Sequence, residues 1–199
     1  MRHIIFLIAL CMLFNCKSQS IIIPMGSGQN IEHSQNYYLK DSSNEFDKFI
    51  GEWKYQNGNS VFVLRLKKEV QYQTPFNYFR DLLVGEYQFI ENGVEIINTL
   101  SNLDNTSING RYHKINGGAY LRRLPSYCND NSTSQEIKIE VQIEDPNDSF
   151  TEGRLILRHI IENGIEKLEV CLLDESSMAA SETSRLAIPD GFYVFVKQD

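Results

Sequence analysis

The chain has 199 residues, 42% of them hydrophobic and 23% charged, with a formal net charge of −7. That length suits one domain with appendages, the apolar fraction excludes a disordered chain, and the acidic balance excludes a general nucleic-acid binder, which needs a basic surface. Only 5 Ala stand against 21 Ile and 17 Asn, with 10 Tyr and 11 Phe, so strands joined by turns are expected rather than a helix bundle.

In chain order, the first element is an address. Met1-Arg2-His3 gives a short positive start, and an apolar run follows from Ile4 to Phe14. As a helix that run spans roughly 16 Å, about half a bilayer core, so residues 1–15 read as a signal peptide and not as a membrane span. It ends at Leu13-Phe14-Asn15-Cys16, which resembles a bacterial lipobox; Leu13 fits, whereas small residues are usual where Phe14 and Asn15 stand. In a lipobox the chain is cut before the Cys, whose thiol and new amine are acylated. Two or three acyl chains at Cys16 would hold the protein at a membrane essentially permanently. The competing reading is cleavage after Ser20, which releases an unacylated protein and discards Cys16. Both readings export the chain. Acylation places it in the cell envelope, at the outer membrane facing the periplasm, because Lys17-Ser18-Gln19 carries no acidic surface-export signal. Cleavage makes it secreted or free in the periplasm.

Residues 16–45, rich in Ser, Asn and Gln, read as a lipid-anchored tether with a reach of about 30 Å as a flexible coil. From residue 46 to 199 the pattern is strand, turn, strand. Trp53–Gln56 and Ser60–Leu66 flank Asn57-Gly58-Asn59. Asp81–Glu91 and Val94–Leu100 flank Asn92-Gly93, and Gly153–Ile161 and Ile165–Leu173 flank Glu162-Asn163-Gly164. Asn-Gly between alternating apolar runs is the strongest short-range hairpin signal. Tyr112–Lys114 and Ala119–Arg122 are expected as strands around an Asn116-Gly117-Gly118 turn. In Glu136–Glu144, Ile137, Ile139, Val141 and Ile143 alternate with charged and polar residues, as in a strand with one wet face. One short helix is expected over Ser176–Glu182, and Phe192–Lys197 closes the chain as a strand. The fold class is therefore all-β, an antiparallel meander of eight to ten strands, forming a lipocalin-like barrel or, alternatively, a β-sandwich.

The segments Tyr38-Leu39-Lys40-Asp41 and Phe49-Ile50-Gly51-Glu52-Trp53, with Gly85–Gly93 and Ile188–Gly191, resemble those of a family of uncharacterised flavobacterial lipoproteins, a domain of unknown function with YLKD and F-x-G-x-W segments. The resemblance covers most of residues 36–199 and implies a lipid-anchored envelope protein of the Bacteroidota. It brings no catalytic residues. Gly51-Glu52-Trp53 also resembles the Gly-x-Trp of the first lipocalin strand, where the Trp closes the barrel floor.

Chemistry is sparse. No G-x-S-x-G, H-E-x-x-H, Walker A or dinucleotide fingerprint is present, so no constellation supports an enzyme, and no cofactor is implied. His33, His113 and His159 are too scattered for a metal site. Asp145-x-Asn147-x-Ser149 imitates the start of a calcium loop, but Phe150 stands where Gly is required, so it reads as a β-turn. Cys128 and Cys171 remain after the signal and the acylation candidate are set aside; they read as a disulfide or as two free thiols. Trp53 and His159 read as core residues, with contact to a ligand in the barrel mouth as the functional alternative. The expected function is a module binding a small apolar or amphipathic ligand. The alternative is an envelope protein-interaction module with a filled core and no ligand. Membrane contact through the acyl chains is expected, and nucleic acid is not.

Overall fold

The computed structural model describes residues 20–29, 36–123, 128, 133, 135–148, 150–175 and 185–198. Within them the hairpin turns set the topology. Asn92 and Gly93 both have positive φ, as do Asn163 and Gly164, the type I′ geometry whose twist matches that of paired strands. Gly58 alone has positive φ in the third two-residue turn, the type II′ pattern.

The strands are β1 (Ile21–Pro24), β2 (Tyr37–Lys40), β3 (Gly51–Asn57), β4 (Ser60–Gln73), β5 (Phe79–Glu91), β6 (Val94–Asn98), β7 (Ile115–Leu121), β8 (Lys138–Glu144), β9 (Glu152–Glu162), β10 (Ile165–Asp174) and β11 (Gly191–Lys197). Eight of them, β3-β4-β5-β7-β8-β9-β10-β11, form a closed antiparallel barrel. It closes between β11 and β3, where Val196 faces Lys54, and between β5 and β7, where Leu83 faces Gly117. β6 folds back on the end of β5, and β2 adds parallel to its beginning, with β1 parallel to β2. Regular helix is missing from the described residues, where only 3-10 turns occur. The expected helix at Ser176–Glu182 lies outside them.

Two expectations change. The Asn116-Gly117-Gly118 segment is not a turn but the middle of β7, with a bulge between Gly117 and Ala119. The glycines serve close approach: a Cβ on Gly117 would meet the Val141 Cα at 2.9 Å, and one on Gly118 the Phe46 ring at 2.4 Å. Tyr112 belongs instead to a 3-10 turn over Gly110–Tyr112. The second change concerns the stretch read as a tether, which contributes β1 and β2. Tyr37 and Tyr38 are buried there because β5 supplies a sheet edge for them.

The core lies inside the barrel. Phe62 meets Tyr87, Phe89, Tyr193 and Phe195 edge-on, at ring separations of 5.1–6.1 Å. One end, where β3 and β5 begin, is closed by a 3-10 turn over Glu45–Phe49 that inserts Phe46 and Phe49. At the other end Leu186 and Ile188 join the core. The outer rows are charged or polar: Glu140 and Gln142 on β8, Arg154 and Arg158 on β9, Lys167 and Glu169 on β10. This is the reverse of a barrel whose outer band faces hydrocarbon.

Candidate functional site on the outer face of the barrel

The YLKD segment is a structural knot. One Asp41 oxygen accepts the Tyr120 hydroxyl and the Glu45 N–H at 2.8 Å; the other accepts the Phe46 N–H at 3.1 Å and the Lys68 ammonium at 2.8 Å. Asp81 accepts the Tyr38 hydroxyl, the Gln71 N–H at 3.1 Å and the Asp41 N–H at 3.0 Å. Burial raises the Asp41 pKa, but Lys68, Tyr120 and the two backbone N–H groups outweigh it and hold the carboxyl below its ordinary range. Burial, and then the bond to Asp81, push the Tyr38 phenol up.

Trp53 is fully buried, and its Nε1 donates to the Phe49 carbonyl at 2.8 Å. This bond ties together the two aromatics of the F-x-G-x-W segment. His159 stands edge-on to Trp53 at 6.0 Å and to Phe49 at 6.3 Å, and its Nε2 lies 3.0 Å from Glu166. His159, and then Lys197, lower the Glu166 pKa. Lys197 also lies over the Trp53 ring at 5.4 Å. The two residues singled out as ligand contacts are thus brought together, as packing at the closed end of the barrel.

Cys128 and Cys171 are joined by a disulfide, with their Cα atoms 5.7 Å apart. Cys171 lies on the outer side of β10 and packs with Ile156, so the bond straps the β7–β8 connection across the outside of the barrel. Asp145 uses its carboxylate to accept the Asn147 N–H at 2.7 Å, closing a local turn. Cys16 and His33 lie outside the described residues.

A second buried pair sits under the segment that leads from β6 to β7. His113 Nδ1 lies 2.9 Å from Glu86 Oε1, and both side chains are essentially unexposed. Glu86 Oε2 and His113 Nε2 have no hydrogen-bond partner among the described residues.

The inward side chains fill the lumen. Leu64, Leu83, Val141, Leu157, Val170 and Phe195 are at most 1% exposed. Two of the concavities lined by described residues open on the outside. One, of about 380 Å³, lies between β1 and the β4–β5 corner. The other, of about 390 Å³, lies where β7 parts from β5 and continues over β8 and β9. Bare backbone at Gly117, Gly118 and Ala119 forms one wall. Its charged side chains have hydrogen-bond partners, with one exception. Arg154 binds Glu140 at 3.2 Å and also Glu175, which raises its pKa, and Gln142 donates to Glu152. Arg80, partly buried, has a buried Nε without a hydrogen-bond partner and makes no ion pair with any described residue.

This chain belongs to a family of unknown function, DUF6705. The match covers residues 1–198. No curated protein and no solved structure matches the chain. The family therefore assigns no residue a role, and the groove rests on geometry alone. Sequence reasoning missed both Arg80 and the groove. Arg80 carries no sequence signal of its own, and the Gly117-Gly118 pair that marks the groove reads from sequence as a turn.

Proposed function

We propose that the protein is an exported envelope lipoprotein, acylated at Cys16, whose barrel is a rigid binding module that recognises its ligand on the outer face. The observation that carries the binding reading is Arg80, a guanidinium without an ion pair among the described residues, in a groove whose other charged side chains already have hydrogen-bond partners. Such a group favours a carboxylate, which it can bind with two parallel hydrogen bonds. Glu140, Glu152 and Glu175 along the groove disfavour polyanions, so the ligand class is a small polar molecule with one negative charge. The filled lumen argues against the apolar ligand expected in the barrel mouth.

The test is amide NMR of the protein titrated with glucuronate, with glucose as the uncharged control. Shifts at Asn116–Ala119 with glucuronate, lost in Arg80→Leu, support the reading. Equal shifts with glucose, or shifts that survive in Arg80→Leu, contradict it. Acylation is read separately from the mass of the mature N-terminus. An acylated Cys16 supports it, and an unmodified start at Gln19 or Ile21 contradicts it.

A further inference from the structure

We infer that the end of the barrel where β1 begins rests against the lipid surface, through the corner carrying Ile21, Ile22 and Phe76. The inference rests on the reading of Cys16 as the acylated residue. Ile21 is paired with Tyr37 in β1, only five residues beyond Cys16. A fully extended chain covers roughly 3.4 Å per residue, so Ile21 can stand no more than about 17 Å from the acylated residue. The long tether suggested by composition is thus cut short by strand pairing, and a barrel held this closely must turn one particular end to the membrane.

The topology says which end. β1 runs parallel to β2, and β2 parallel to β5, so Ile21 stands where β5 begins, level with the turn joining β4 to β5. That turn carries Phe76, which at 78% is the most exposed large hydrophobic side chain among the described residues. The Thr74 hydroxyl accepts the Phe76 N–H at 3.3 Å, and Asn77 takes positive φ, so local bonding fixes the turn that presents the ring. Ile21 and Ile22 are 54% and 57% exposed. The 380 Å³ recess lined by Ser20, Ile22, Tyr38, Gln71 and Phe79 opens at the same corner. Ile161 and Ile165, flanking the β9–β10 turn, extend the apolar rim on the far side of that end. Apolar side chains held within reach of an acylated terminus partition into the headgroup–acyl boundary and add to the anchor.

Phe150 provides the control, because it is 63% exposed but lies in the β8–β9 connection at the opposite end. The full acylated chain is reconstituted in vesicles of phosphatidylethanolamine and phosphatidylglycerol with brominated acyl chains. Tryptophan is introduced as Phe76→Trp or Phe150→Trp, and the chain bearing only Trp53 gives the baseline. The expected result is loss of the introduced fluorescence at position 76 and none at position 150. With acylation verified by mass on the same sample, undiminished fluorescence at 76, or equal loss at 150, overturns the inference and leaves the Cys16 reading standing. An unacylated terminus overturns the Cys16 reading and the inference with it.

Discussion

Two buried polar clusters are anchored on β5, at Asp81 and at Glu86, and they are built to different standards. Around Asp41 and Asp81, both oxygens of each carboxylate accept hydrogen bonds, and the donors come from β2, β4, β7 and the 3-10 turn at the barrel end. Around Glu86 and His113, on the outer side of β5, one bond is made and one atom on each partner is left without another among the described residues. Buried polar groups strengthen a fold when every lone pair is met and weaken it when one is not. The first cluster is therefore what holds the plug in the barrel, whereas the second is tolerated by the fold.

The sharpest way to break this contrast is Asp41→Ala. It removes the shared acceptor of Tyr120 and of the Glu45 and Phe46 N–H groups, and leaves Lys68 with Asp47, at 3.1 Å, as its one carboxylate partner among the described residues. We expect a loss of about 3–5 kcal/mol in urea unfolding from the buried donors left without an acceptor. The single change His113→Leu leaves Glu86 buried without a partner and should cost about 2–3 kcal/mol by the same measurement. The pH response comes next. The Asp41 carboxyl has a depressed pKa, so its contribution is complete above the ordinary value of 3.8 and is lost as pH falls through the lower folded value. Calorimetry should show Tm declining on that acidic limb, with a shallower decline in Asp41→Asn. The smallest effect is expected from the double change Glu86→Leu with His113→Leu. Removing both half-satisfied partners together should shift stability by less than about 1 kcal/mol, well below the single substitution. A double mutant as damaging as the sum of the singles would show that the pair is a cornerstone like Asp41.

What the sequence revealed follows the range over which each feature is determined. The Asn92-Gly93 and Asn163-Gly164 turns could be read because type I′ geometry is a property of two residues, and the alternation in Glu136–Glu144 because a pleat has a period of two. Gly117-Gly118 misled because glycine pairs mark close backbone approach as well as turns, and which of the two applies depends on Val141 and Phe46 far along the chain. The strands β1 and β2 were hidden among polar residues because their pairing depends on an edge of β5 about forty residues away. The Asp41 knot was visible only as an unexplained motif, since Asp81 and Tyr120 reach it through the closed topology. Arg80 became a site candidate only when closure between β5 and β7 placed it beside bare backbone, without an ion pair among the described residues.

The central claim is that this barrel recognises its ligand outside and not within. Dodecanoate tests it directly, because it offers a carboxylate to the Arg80 groove and an apolar tail to any lumen cavity. In a combined amide and methyl NMR titration, the account predicts shifts at Asn116–Ala119 and Glu140–Gln142, with the methyl signals of Leu64, Leu83 and Leu157 unmoved. Shifts of those inward methyl groups, with the groove silent, would contradict it.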